Sequence, residues 1–179
     1  NASEHEIGRL EGALIGNMVG DSSNSLAEGL GAAFDGQSGS NKPFAMIRSA
    51  HSGTGWPNAT IGKNWGRSRI VTGYEIEAGD SNGFVNTSAN FTIKLQGSNN
   101  GTSWSDLDTH TQSGAGGAQT LSRRGLSITT AYKQHRLHLA APANEVRIVE
   151  CRFYETGGTE ARYTLAGIVE TTDKPKDIL

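Results

Sequence analysis

The chain has 179 residues, among them 24 glycines, 4 prolines and one cysteine, with 35% hydrophobic and 19% charged side chains. That is the length of one domain with a sizeable core, and the composition excludes collagen, a coiled coil and an acidic disordered segment. Sixteen basic against eighteen acidic residues leave a formal charge of -2, so no global field draws the chain to nucleic acid or an anionic membrane.

The chain begins at Asn1 rather than methionine and lacks the basic-then-apolar order of a signal peptide, as expected of a processed chain or an excised fragment. Ile7, Leu10, Leu14 and Ile15 fall near helical spacing, but Gly8, Gly12, Gly16 and Gly20 argue against a stable helix. Residues 1–22 are therefore expected to form an N-terminal arm, either extended and partly ordered or an attachment segment that docks on another subunit. Beyond it the signal has period two. Within Arg69 to Glu77, the residues Ile70, Tyr74 and Ile76 share a face opposite Glu75 and Glu77; in the next strand Phe91, Ile93 and Leu95 point inward and Thr92, Lys94 and Gln96 outward. Further strands are expected over Ala131 to Leu139, Glu145 to Tyr154 with Val149, Cys151 and Phe153 on one face, and Arg162 to Thr171. Glycine- and asparagine-rich turns separate them, which predicts an all-β sandwich or barrel over residues 23–171 and a polar tail over 172–179.

No enzyme is expected: any two of the eighteen acids could meet as a glycosidase pair, but nothing singles out such a pair, and the other catalytic signatures are missing from the sequence. There is no Gly-x-Ser-x-Gly elbow, Cys151 sits in a strand as a small core residue, and His135 and His138 fall on opposite faces of a strand. No Cys/His set has zinc spacing, no glycine run forms a phosphate loop, and no apolar stretch is long enough to insert in a membrane.

An ordered series of short motifs stands out instead. Ala33-Phe34-Asp35-Gly36 is followed by Gly55-Trp56, by Ile61-Gly62-Lys63-Asn64-Trp65-Gly66 running into Val71 to Ile76, by Phe91 to Gln96 leading to Gly97-Ser98-Asn99-Asn100-Gly101-Thr102-Ser103-Trp104, and by Tyr132 to Leu139 and Val146 to Glu150. Over roughly residues 30 to 155 this order resembles the discoidin or F5/8 type C family, including bacterial and phage carbohydrate-binding modules of galactose-binding-like fold. The resemblance implies a jelly-roll β-sandwich and a structural calcium, Ca2+, held by Asp35, Glu150 and carbonyls between Gly36 and Asn41; calcium prefers such hard oxygen ligands. The competing reading of the same residues is an Asx-type turn at Asp35 and an ion pair from Glu150 to Arg147 or Arg152.

The resemblance also implies a sugar site in the loop from Ser49 to Asn58. Trp56 would either stack on a pyranose or pack into the fold, while Arg48, His51 and Asn58 would supply donors and acceptors. Arg124, beside Arg123, would form a second polar wall or a solvated face. Trp65 and Trp104 read as structural. No terminal cysteine pair is present, which sets the chain apart from the lipid-binding branch and suits a bacterial or phage setting. The expected function is a non-catalytic module recognising a cell-surface glycan or polysaccharide, located on a virion fibre or an extracellular or cell-surface assembly, with partner subunits bound through the arm. The alternative is a structural assembly domain that binds protein subunits and has no sugar site.

Overall fold

The computed structural model describes residues 3–48, 58–79, 84–85, 90–113, 117–140 and 145–157. Two antiparallel sheets enclose one core. The first takes β1 (Glu4–Glu6), β12 (Glu150–Thr156), β6 (Val71–Ala78) and β9 (Gln119–Arg123), in that order. The second takes β2 (Ala13–Gly16), β5 (Asn58–Arg69), β10 (Tyr132–Ala140), β7 (Phe91–Ser98) and β8 (Ser105–Gln112). A smaller sheet of β11 (Glu145–Ile148), β4 (Phe44–Arg48) and β3 (Ala27–Glu28) covers one side, next to a short 3₁₀ helix at Leu30–Phe34. The expected all-β sandwich is the fold.

Alternation drives the layering. In β7 the side chains of Phe91, Ile93 and Leu95 are buried, and in β10 His135, Leu137 and Leu139 meet them from the neighbouring strand. Tyr74, Ile76, Cys151 and Phe153 close the core from the opposite sheet. Burying such side chains is worth roughly 1.5–3 kcal/mol each, and a one-residue slip would turn the whole set outward.

Three expectations change. Ile70 does not share the face of Tyr74 and Ile76; it is the single residue between β5 and β6 and lies exposed, while Val71 takes the buried position. The run from Glu145 to Tyr154 is two strands, because Val149 donates its N–H to the Glu77 carbonyl at 2.8 Å and the chain changes sheets there. Val149 consequently packs with Ala27, Phe44 and Met46 rather than beside Cys151 and Phe153.

The segment set apart as an arm packs on this chain's own sandwich. Glu4 to Glu6 pair with β12, Ala13 to Gly16 pair with β5, and Ile7 and Met18 enter the core. Glycine spacing that defeats a helix leaves two short edge strands, one in each main sheet. The strand expected over Arg162 to Thr171 and the tail over 172–179 lie outside the described residues.

Candidate functional site

Two places collect the residues singled out from sequence. The first is the turn after the 3₁₀ helix. Asp35 Oδ1 accepts the Gln37 backbone N–H at 2.7 Å and its Oδ2 accepts the Gln37 side-chain amide at 2.9 Å, which closes an Asx-type turn. Gly36 and Gly39 then adopt φ of +83° and +89°, and Asn41 also has positive φ, so the turn curls back on itself. Its floor is Glu150, which is wholly buried. Glu150 Oε2 accepts the Gly36 N–H at 3.1 Å, and Glu77 Oε1 accepts that of Gly39 at 2.6 Å.

Glu150 Oε1 has no hydrogen-bond partner. Arg9 and Arg152 approach this oxygen only at 3.7 and 3.8 Å. Burial pushes the carboxyl up to about 7, against partial relief from Arg152, Arg9 and the Gly36 N–H, and the negative charge of Asp35 adds to the rise. A buried carboxylate with an orphaned oxygen, a second acid close by and a glycine-curled backbone is a donor set suited to a hard divalent cation. Among the described residues no three His, Cys, Asp or Glu side chains converge as a metal cluster, so carbonyls would have to complete the shell. The other expected partner, Arg147, is elsewhere: its Nη2 pairs with Glu145 at 2.6 Å. Glu77 and Arg9 were not foreseen here, since both are remote in sequence, Glu77 on β6 and Arg9 in the turn after β1.

The second place is one end of the sandwich. Arg48 ends β4 and Asn58 begins β5, so both border the segment 49–57. Arg48 is fixed from two sides, by Asp21 and by Glu145, whose Oε2 accepts Nε–H at 3.1 Å. Asp21 is itself oriented by Ser23, which donates both its backbone N–H and its hydroxyl at 2.8 Å. Asn58 is exposed, and its backbone carbonyl accepts Asn17 Nδ2–H at 2.7 Å. His51 and Trp56 lie outside the described residues.

Arg124 does not join Arg48 and Asn58. β5 runs from Asn58 to Arg69 and turns at Ile70 into β6, and Arg124 borders Gly73 near the start of β6, at the opposite end of the sandwich. There its Nε pairs with Glu4 at 2.6 Å and its guanidinium stacks 3.3 Å over the Tyr154 ring. It therefore fastens β1 to the sandwich. The structural readings of two tryptophans agree with their places: Trp65 is in the core, and Trp104 donates its indole N–H to the Gly101 carbonyl at 3.2 Å.

No family model and no curated relative matches the sequence. Solved structures do match by fold. The family 32 carbohydrate-binding module of Clostridium perfringens NanJ, in complex with galactose, aligns with a TM-score of 0.59 at 15% identity, covering 86% of this chain and 100% of that one. An F5/8 type C domain from Bacteroides fragilis aligns at 0.62 and 16% identity, covering 87% and 98%. The lectin-binding domain of lectinolysin, complexed with Lewis b, aligns at 0.58 and 12%, covering 87% and 100%. The fold of this chain is thus that of the discoidin-like, galactose-binding β-sandwiches, as the motif order implied.

Proposed function

We propose that this chain is a non-catalytic carbohydrate-binding module that recognises a cell-surface glycan or polysaccharide through the end of the sandwich where Arg48 and Asn58 stand, with His51 and Trp56 of the intervening sequence as further contacts. The observation that carries the reading is the fold shared, over more than four fifths of the chain, with modules whose structures hold galactose and Lewis b. The fixed Arg48 guanidinium, one-third exposed in its side chain, supports it, because a preorganised donor loses little freedom when it meets a hydroxyl. Weak single sites of this kind gain avidity by display in several copies, which suits a virion fibre or a secreted bacterial assembly. A glycan array tests the reading: reproducible binding that disappears in Trp56→Ala and His51→Ala supports it, and the absence of any bound glycan sinks it.

The same reading includes a structural Ca2+ at the Asp35 turn, held by Glu150, Asp35 and backbone carbonyls between Gly36 and Asn41. The ion would neutralise the buried Glu150 carboxylate and fix the turn on the sheet beneath it.

A second reading, an assembly domain that binds protein subunits, draws on the exposed apolar side chains of the N-terminal segment. Leu10 is 97% and Val19 63% exposed. Sedimentation showing an oligomer that Leu10→Ser and Val19→Ser dissolve, together with a blank glycan array, would favour it.

A further inference from the structure

The outer face of the five-stranded sheet carries an arrangement that the loop-end reading does not use. Along β10, His135, Leu137 and Leu139 enter the core, so Gln134, Arg136 and His138 point to the opposite face. Arg136 is held there on two sides. Its guanidinium carbon lies 3.9 Å from the centroid of the Trp104 ring, and its Nε donates to Gln96 Oε1 at 2.8 Å. Both supports are themselves fixed. The Trp104 indole is bonded to the Gly101 carbonyl, and the Gln96 amide donates to Asp106 Oδ1 at 2.7 Å.

Asp106 is the acid nearest in this network, and it is already committed. Its Oδ2 pairs with Lys94 at 2.6 Å. Among the described residues Arg136 has no carboxylate within ion-pair distance, and its terminal nitrogens have no protein acceptor. Burial disfavours its charge with no compensating partner. A cation desolvated, stacked and oriented without a counter-ion is a costly arrangement, and a planar fork held in this way is matched by a planar carboxylate. Gly62, opposite Arg136 on β5, is buried, and the guanidinium leans the other way, toward β7 and Trp104. Trp104 is only partly buried, and the exposed part of an indole is an apolar surface on which the C–H face of a pyranose can rest. Lys94 and His138 are paired in the adjacent row.

We propose that Arg136, stacked on Trp104, forms a second saccharide site for a carboxylate-bearing sugar such as a uronate, on a sheet face separate from the loop end. The carboxylate takes the terminal nitrogens of Arg136, and the ring lies against the exposed part of Trp104.

A nitrogen-15 NMR titration of the whole chain tests this, with oligogalacturonate as probe and a neutral galacto-oligosaccharide and inorganic sulfate as comparators. Oligogalacturonate is expected to shift the Trp104 indole N–H and the Arg136 Nε–H saturably, while the neutral sugar leaves both in place. The effect persists in Trp56→Ala, which separates it from the loop-end site. Arg136→Gln weakens binding at least about tenfold, the loss of one charge-assisted pair. Arg136→Lys, keeping the charge without the fork, weakens it less. The proposal is overturned if oligogalacturonate leaves the wild-type Trp104 signal unmoved, if Arg136→Gln binds as wild type does, or if sulfate shifts the same signals as strongly, which would make the place an anion site with no sugar recognition.

Discussion

Trp65 and His135, 70 positions apart in the chain, meet inside the sandwich, where the indole N–H donates to His135 Nδ1 at 3.0 Å. That bond fixes the tautomer. Nδ1 is the acceptor, so the proton of the neutral ring is on Nε2, a buried atom with no hydrogen-bond partner. Burial, followed by the charge of Arg69, holds the imidazole down at about 4 against an ordinary 6.5; the Tyr132 ring stands edge-on to it at 6.0 Å.

This pair gives the fold an acid limit. The unfolded chain takes up a proton at His135 near 6.5 and the folded one only near 4, so the unfolded state binds more protons between those values. Stability contributed by the neutral ring is complete above 6.5 and is lost as pH falls toward 4, by about 3 kcal/mol in all. Urea unfolding at intervals across that range should show the decline, and His135→Leu should flatten it. An unchanged slope in the variant would assign the acid sensitivity elsewhere.

The first eighteen residues should be indispensable to stability. Removing them takes away both edge strands and uncovers the core where Ile7 and Met18 sit. Losing two buried side chains and their ladder bonds should cost at least about 3 kcal/mol. A truncated chain with the parent's urea midpoint would show that the segment is only appended.

Calcium should raise the melting temperature of the wild type, since an ion bound only by the folded state stabilises it. Glu150→Gln should abolish that rise while keeping an acceptor for the Gly36 N–H. In chelated buffer the same variant should be at least as stable as the parent, because the buried charge is gone. Gly36→Ala should fare worse, as its φ of +83° disfavours any side chain, and the Arg9 guanidinium would also have to move aside. Scanning calorimetry with and without the ion checks all three.

Leu137 and Leu10 set the two ends of the scale for substitutions. Leu137→Ala empties a fully buried site and should cost about 2–5 kcal/mol. Leu10→Ser, at a side chain almost entirely exposed, should stay within about 0.5 kcal/mol. Chemical denaturation of both variants distinguishes core from surface directly.

Pattern alone revealed whatever depends on facing in or out over a few residues. Phe91, Ile93 and Leu95 were legible because a half-buried strand has only two faces. Ile70 and Val149 were not, because each stands where the chain crosses between sheets and the alternation restarts out of phase. Period says nothing about which sheet a strand joins, so the pairing of β1 with β12 and of β2 with β5 could not be read from residues 1–22. Asp35 and Glu150 were linked only through the order of motifs; in the fold it is Gly36, the residue after Asp35, that donates its N–H to Glu150. Arg124 was grouped with Arg48 and Asn58 by chemistry, yet strand direction puts it at the other end.

The N-terminal strand also gives the molecule a mechanical axis. Glu4 enters β1 opposite Thr156, at the end of the sandwich remote from Arg48 and Asn58. A pull between that entry and anything gripped at the far end runs along the strands. Force in this direction loads the rungs between β1 and β12 in shear, all together, instead of peeling them one at a time. Along this axis the rungs between β1 and β12 share the load, and the strand separates only when all of them give way together.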